Sequence, residues 1–246
     1  MPEAAAKSAW SDPSAVSLAA SNLFVILLAV LEGWNLMTVL WVYWCQSLII
    51  GLFSLLRMLS LGDYSTEGVE INGLPLTPSS AVKAWVTVIF IIGFGFFHAA
   101  YAVFLLFALS DMGYRILSGE IPWMLLAVAI FLVNHGFSYI HNVREDSSKR
   151  LNIGVVAAIP FARILPMHLT IIASGFIYVG GIFLSMGLYL VGLGSTADYL
   201  SMAGPTLLLI LFQLLKSAAD VRMHQIEHAS PQEIARWVSG QESVVL

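Results

Sequence analysis

Apolar runs of bilayer length, one after another, leave this chain few possible folds. About 20 apolar residues, rising 1.5 Å each, cross the ~30 Å hydrocarbon core as a helix, and only helices and closed barrels satisfy their own backbone there. Six such runs are read, over about 16–31, 36–58, 81–109, 122–143, a fifth reaching about 188, and a sixth over 205–219 that continues into water as far as 228. The chain is 59% hydrophobic and 11% charged, where a soluble domain carries about 25% charged residues. The expectation is an all-α, polytopic integral membrane helical bundle of about six transmembrane helices. It sits in the cell membrane with the lipid bilayer as its first partner; membrane-protein partners or a homo-oligomer stay open.

The remaining segments divide the chain into a polar tail at 1–15, a transmembrane domain at 16–229 and a C-terminal surface helix and tail at 230–246. No basic region precedes a short apolar core at the start, so the first run reads as a retained anchor and not a cleaved signal. A polar segment, 60–80, lies between the second and third helices; Asn72 and Gly73 in it suit a type I′ hairpin turn, against which Pro75 counts. Residues 151–161 are apolar but too short to span, and read as an interfacial or re-entrant piece, with Pro160 and Pro166 bracketing the entry to the fifth helix. The net charge of −4, without a basic cluster, excludes nucleic acid as a partner. A single cysteine, Cys45, excludes a disulfide within the chain.

Basic residues set the orientation. Six spans with both termini on one side give that side Lys7, Arg57, Lys83, Arg144, Lys149, Arg150, Arg163, Lys216, Arg222 and Arg236, and give the other only Arg115, of 11 in all. Both termini and the 60–80 loop are therefore expected in the cytoplasm. The sequence has no convincing internal repeat, which argues against an inverted-repeat transporter.

Polar residues inside such helices are costly and mark candidate sites. The fourth helix carries Asn134, His135, Ser138, His141 and Asn142, and the other helices are expected to gather around it. Depth counting places His141, His168 on the fifth helix, and Asp220 and His224 on the sixth in one layer near the cytoplasmic face. Asp220, His224 and His228 share one helical stripe, and imidazole with carboxylate suits zinc, copper or iron. The candidate metal ligands are His141, His168, Asp220 and His224, with His135 and His228 behind them; haem would need facing histidines, with His135 and His168 the first pair to test. Each has a plainer reading. His141 can bond a loop carbonyl, and His98 and His135 can serve helix packing beside small residues. His224, His228 and Lys216 can belong to a solvated helix end. Arg163 can reach phosphate, or pair with Asp220 or an anionic ligand. Gln46, His98 and His135 lie deeper and match one another less well. Zinc-protease, P-loop and serine-hydrolase signatures are absent, and Ser138 beside His141 does not make a nucleophile and base.

Four stretches together, around Trp41 to Phe53, Asn134 to Ser138, Pro160 to His168 and Lys216 to His224, resemble a family of archaeal and bacterial multi-pass membrane proteins that carry only a domain-of-unknown-function label. The resemblance runs from about residue 14 to 228. It implies an acidic residue where this chain has Gln46, and histidines where it has Gly93 or Ala100, so a site on the second and third helices is in doubt here. His135, Arg163, His168, Asp220 and His224 match. The resemblance lends no activity, substrate or cofactor. Three functions follow: a metal or haem site for redox or hydrolytic chemistry on a membrane-soluble substrate, a non-enzymatic accessory or assembly subunit, and a small-solute transporter.

Overall fold

The computed structural model describes residues 13–111, 115–146 and 150–228. Among the described residues there are six long helices: α1 Pro13–Leu31, α2 Leu36–Ser60, α3 Ser80–Asp111, α4 Ile121–Asp146, α5 Ile153–Leu190 and α6 Gly194–His228. Four two-residue strands are the only sheet among the described residues: β1 Tyr64–Ser65, β2 Glu70–Ile71, β3 Leu74–Pro75 and β4 Leu151–Asn152. The chain is an all-α membrane bundle. Among the described residues four helical stretches are long and apolar enough to cross a bilayer: Leu36–Ser60, Ser80–Phe107, Ser118–His141 and Ile153–Ala173. Val16–Leu31 and Val179–Leu190 are apolar but shorter.

The turns have local causes. Gly33 ends α1 at φ +62; its N–H bonds the Val30 carbonyl and that of Trp34 bonds Ala29. This is the left-handed helix end that glycine adopts without a Cβ penalty. Asn35 then caps α2 by accepting from the Thr38 N–H. Asn72 and Gly73, at φ 52 and 77, turn β2 back on β3, so the expected hairpin forms, with Pro75 opposite Glu70. β1 pairs in parallel with β4, tying the loop after α2 to the start of α5.

Side-chain contacts fix the helix directions. Gly51 faces Phe94, and the Trp44 indole donates to the His98 carbonyl at 3.0 Å, so α2 and α3 are antiparallel. Phe161 meets Phe94 and His168 meets Tyr101, so α3 and α5 are parallel. Tyr43 packs on Phe131 and Phe53 on Tyr139, so α2 and α4 are parallel. Directions alternate along the chain, and α1 begins at the end of the bundle where α6 finishes.

Three sequence expectations give way. The centre is α2 and not α4: α2 lies against α3, α4, α5 and α6, whereas α4 packs on α1 and α2. The reason is in the side chains, since α2 buries Val39, Leu40, Val42, Tyr43 and Gln46 to 1% exposure or less. Residues 153–161 are not a separate interfacial piece but the first turns of α5, which runs on through Pro160 and Pro166. Proline lacks the N–H that would bond the carbonyl four residues earlier, here the carbonyls of Val156 and Ala162, and membrane helices tolerate this because neighbouring groups satisfy the freed carbonyls. Likewise α6 begins at Gly194, ahead of Pro205. The surface helix expected after residue 230 lies outside the described residues.

Candidate functional site

The deepest polar cluster joins α1, α2, α5 and α6. Asp220 is wholly buried and Lys216, one turn earlier, is 2% exposed. The Lys216 ammonium donates to Asp220 Oδ1 at 2.5 Å. Asn22 of α1 donates to Oδ2 at 3.0 Å, and Gln46 of α2 donates to Asn22 Oδ1 at 3.4 Å. Lys216 Nζ also stands 5.4 Å from the centre of the Tyr43 ring, a cation–π distance. The Arg163 guanidinium, buried on α5, adds its field to both charges.

Helical spacing makes this cluster. Gln213, Lys216, Ser217 and Asp220 fall on one stripe of α6, and Tyr43, Gln46 and Ser47 on one stripe of α2. Several polar atoms there have no hydrogen-bond partner among the described residues: the Tyr43 hydroxyl, Gln46 Oε1, both ends of the Gln213 amide, and the hydroxyls of Ser47 and Ser217. Buried polar groups are nearly always paired, and those that are not commonly mark ordered water or a ligand.

Gln46 lies ten residues from Leu36 and fourteen from Ser60, about 15 and 21 Å along α2. Asp220, reached through Asn22 from Gln46, is therefore level with the middle of α2. Lys216 is core, not solvated surface.

Of the predicted ligand set, His135 and His141 stand on α4, apart from His168 on α5 and Asp220 on α6. His141 is exposed on α4, stacked 5.8 Å from Phe137. The neighbours expected for α4, namely α5 and α6, pack instead on each other. His135 is buried on α4, on a helix that faces α1 and α2 and not the helix of His168. His168 is half-buried, and its Nδ1 and the Tyr101 hydroxyl are hydrogen-bonded at 3.1 Å. His98 is buried, bonded through Nδ1 to the Phe94 carbonyl at 2.8 Å and packed 4.1 Å from the Phe94 ring, which matches its packing reading. Ser138 is half-buried on α4. The side chains of His224 and His228 lie outside the described residues. Among the described residues, no three of His, Cys, Asp and Glu come together as a metal site would need.

Sequence reasoning passed over Lys216, Asn22, Tyr43, Gln213 and Ser217. The usable signal was an opposite-charge i, i+4 pair directly after an apolar run, with Gln213 one turn before it on the same stripe. No curated protein and no solved structure matches the chain. The profile of one family matches residues 4–236, nearly the whole chain and all six helices. The protein therefore belongs to DUF6498, a family of unknown function.

Proposed function

We propose that the Lys216–Asp220 pair is the working centre of a membrane protein that moves a proton, or a small solute with it, between the two faces of the bundle. The observation that carries this reading is the ring of unpartnered polar atoms on α2 and α6 around a fully buried ion pair. Ionisable groups inside a membrane bundle mark ion and proton pathways more often than packing. Water held by Tyr43, Gln46, Gln213 and Ser217 supplies the hydrogen-bond chain that a proton needs. Protonating Asp220 removes the charge that holds both Lys216 and Asn22, so one proton acts on α1 and α6 together. The test is proton flux in proteoliposomes with an imposed potential and an internal pH dye. Asp220→Asn should remove flux while the protein stays monodisperse in detergent. Wild type without flux sinks the reading, and the network is then a packing device, as in an accessory subunit.

One contact favours a second reading, a transition-metal site on α5 and α6. A ligating imidazole has its other nitrogen held by a neighbour, and Tyr101 holds Nδ1 of His168. Nε2 is then the ligating atom, with His224 as its partner from α6. Asp220 enters only by giving up Lys216 or Asn22. Metal analysis and an absorption spectrum of purified protein test it: stoichiometric zinc, copper or iron, or a Soret band for haem, each lost in His168→Ala and in His224→Ala. Binding should fade below about pH 6, because protonated imidazole does not ligate.

A further inference from the structure

An ammonium can donate three hydrogen bonds, and that of Lys216 makes one among the described residues, to Asp220 Oδ1. The donors around it are idle as well. The hydroxyls of Tyr43, Ser47 and Ser217 and the Gln213 amide nitrogen are buried without a partner among the described residues. Tyr43, Ser47 and Gln213 are each 5% exposed or less. Gln213, Lys216 and Ser217 stand within about one turn of one another on α6, and the Tyr43 ring lies 5.4 Å from the ammonium. The orphan acceptors, Gln46 Oε1 and Gln213 Oε1, are fewer than these donors. Buried donors without acceptors are costly, more so in a bilayer.

Charge decides what kind of acceptor fits. Asp220 faces Lys216 on α6, Arg163 on α5, the neutral Asn22 on α1 and the Tyr43 phenol on α2. The positive charge of Arg163 acts on both members of the pair. A proton placed alone on Asp220 takes away the carboxylate that both cations feel. An anion placed alone beside Lys216 confronts that carboxylate. Either one leaves an uncompensated buried charge, which is strongly unfavourable. Entering together, they leave the net charge of the cluster unchanged. The proton neutralises Asp220, and the anion takes over Lys216 and the idle donors.

We infer that Lys216, with the donors of Tyr43, Ser217 and Gln213, binds a small monovalent anion of the halide type together with a proton on Asp220. This rests on the transport reading above for what the pathway carries, and its binding test is independent of flux. The probe is chloride, with gluconate holding the ionic strength constant. The chloride NMR line width of purified protein should report saturable binding. Affinity should rise as pH falls, by up to about tenfold per pH unit, because one proton enters with each ion. Asp220→Asn should bind chloride without that pH dependence and should gain thermal stability from it, since the ion takes the carboxylate's place. Lys216→Met added to Asp220→Asn should abolish binding. Tyr43→Phe, which leaves the ion pair intact, should weaken it by about threefold to tenfold. Thermal unfolding checks that each variant is folded. No saturable chloride binding by wild type overturns the inference, and so does binding that the double variant retains. Proton flux that persists when gluconate replaces chloride also overturns it, and leaves the proton pathway standing. Proton-linked chloride binding without any flux supports the site and sinks the transport reading.

Discussion

Two residues show how little slack the interior has. A Cβ added at Gly51 would stand 2.2 Å from Phe94 Cε1 and 2.8 Å from Cζ. The Phe94 ring is held by Phe90, Phe161 and His98, so it has nowhere to swing. Gly51→Ala should destabilise the detergent-solubilised protein by about 1–3 kcal/mol, the usual cost of overpacking, and Phe94→Leu should recover part of it. An unchanged unfolding temperature for Gly51→Ala would falsify this account of the α2–α3 crossing. The buried pair makes a second prediction. Removing one partner leaves an uncompensated charge, which costs about 3–5 kcal/mol, whereas replacing both with apolar residues is often near neutral. Asp220→Leu and Lys216→Met should each destabilise strongly, and the double variant should be more stable than either single one. A double variant with the summed loss would show that the two side chains are not a coupled pair.

At the scale of the element, α1 deserves more weight than its length suggests. It is short and apolar, yet its Ser17 reaches α4 on one side and its Asn22 reaches α6 on the other. Small and polar residues of this kind let membrane helices approach and bond each other. Cysteines at 17 and 134 should therefore cross-link in an otherwise cysteine-free protein, with Cys45 replaced. Cysteines at 141 and 220 should not, since α4 is not packed on α6. The reverse pattern would restore the arrangement in which α4, α5 and α6 share one space. α5 is the other unusual element: its 38 residues make about 57 Å of helix, well beyond a ~30 Å core. Its far half, Val179 to Leu190, keeps large apolar side chains exposed, the surface that lipid or a partner helix covers.

For the whole molecule, alternating directions place the start of α1, the β2–β3 hairpin and the end of α6 at one end. Among the described residues Arg57, Lys83 and Arg150 fall at the same end, and this end is proposed to be cytoplasmic. An engineered cysteine in 63–78 should then label only when the cytoplasmic face is accessible, and one near Ser195 only from the opposite face. Labelling of both from the same side would end that topology.

The amino-acid order alone determined the class, the approximate limits of α1 to α4, the tight turn at Gly33 and the hairpin at Asn72 and Gly73. Each rests on local physics: the length of an apolar run, or a residue that tolerates positive φ. It also marked Asp220 and Arg163 as polar groups needing a partner. Which partner was a tertiary matter. Lys216 carries the same i, i+4 relation to Asp220 whether the helix end is wet or buried, and only the packing of α6 on α1, α2 and α5 put that stripe inside. Depth counting set Asp220 at the end of the apolar run of α6; what it could not give is that Asn22 and Gln46 tie the carboxylate to the middle of α2. The histidines were legible as residues but not as a group, because which helices are neighbours depends on interlocking side-chain shapes far apart in sequence. Spacing along a single helix carries no record of those.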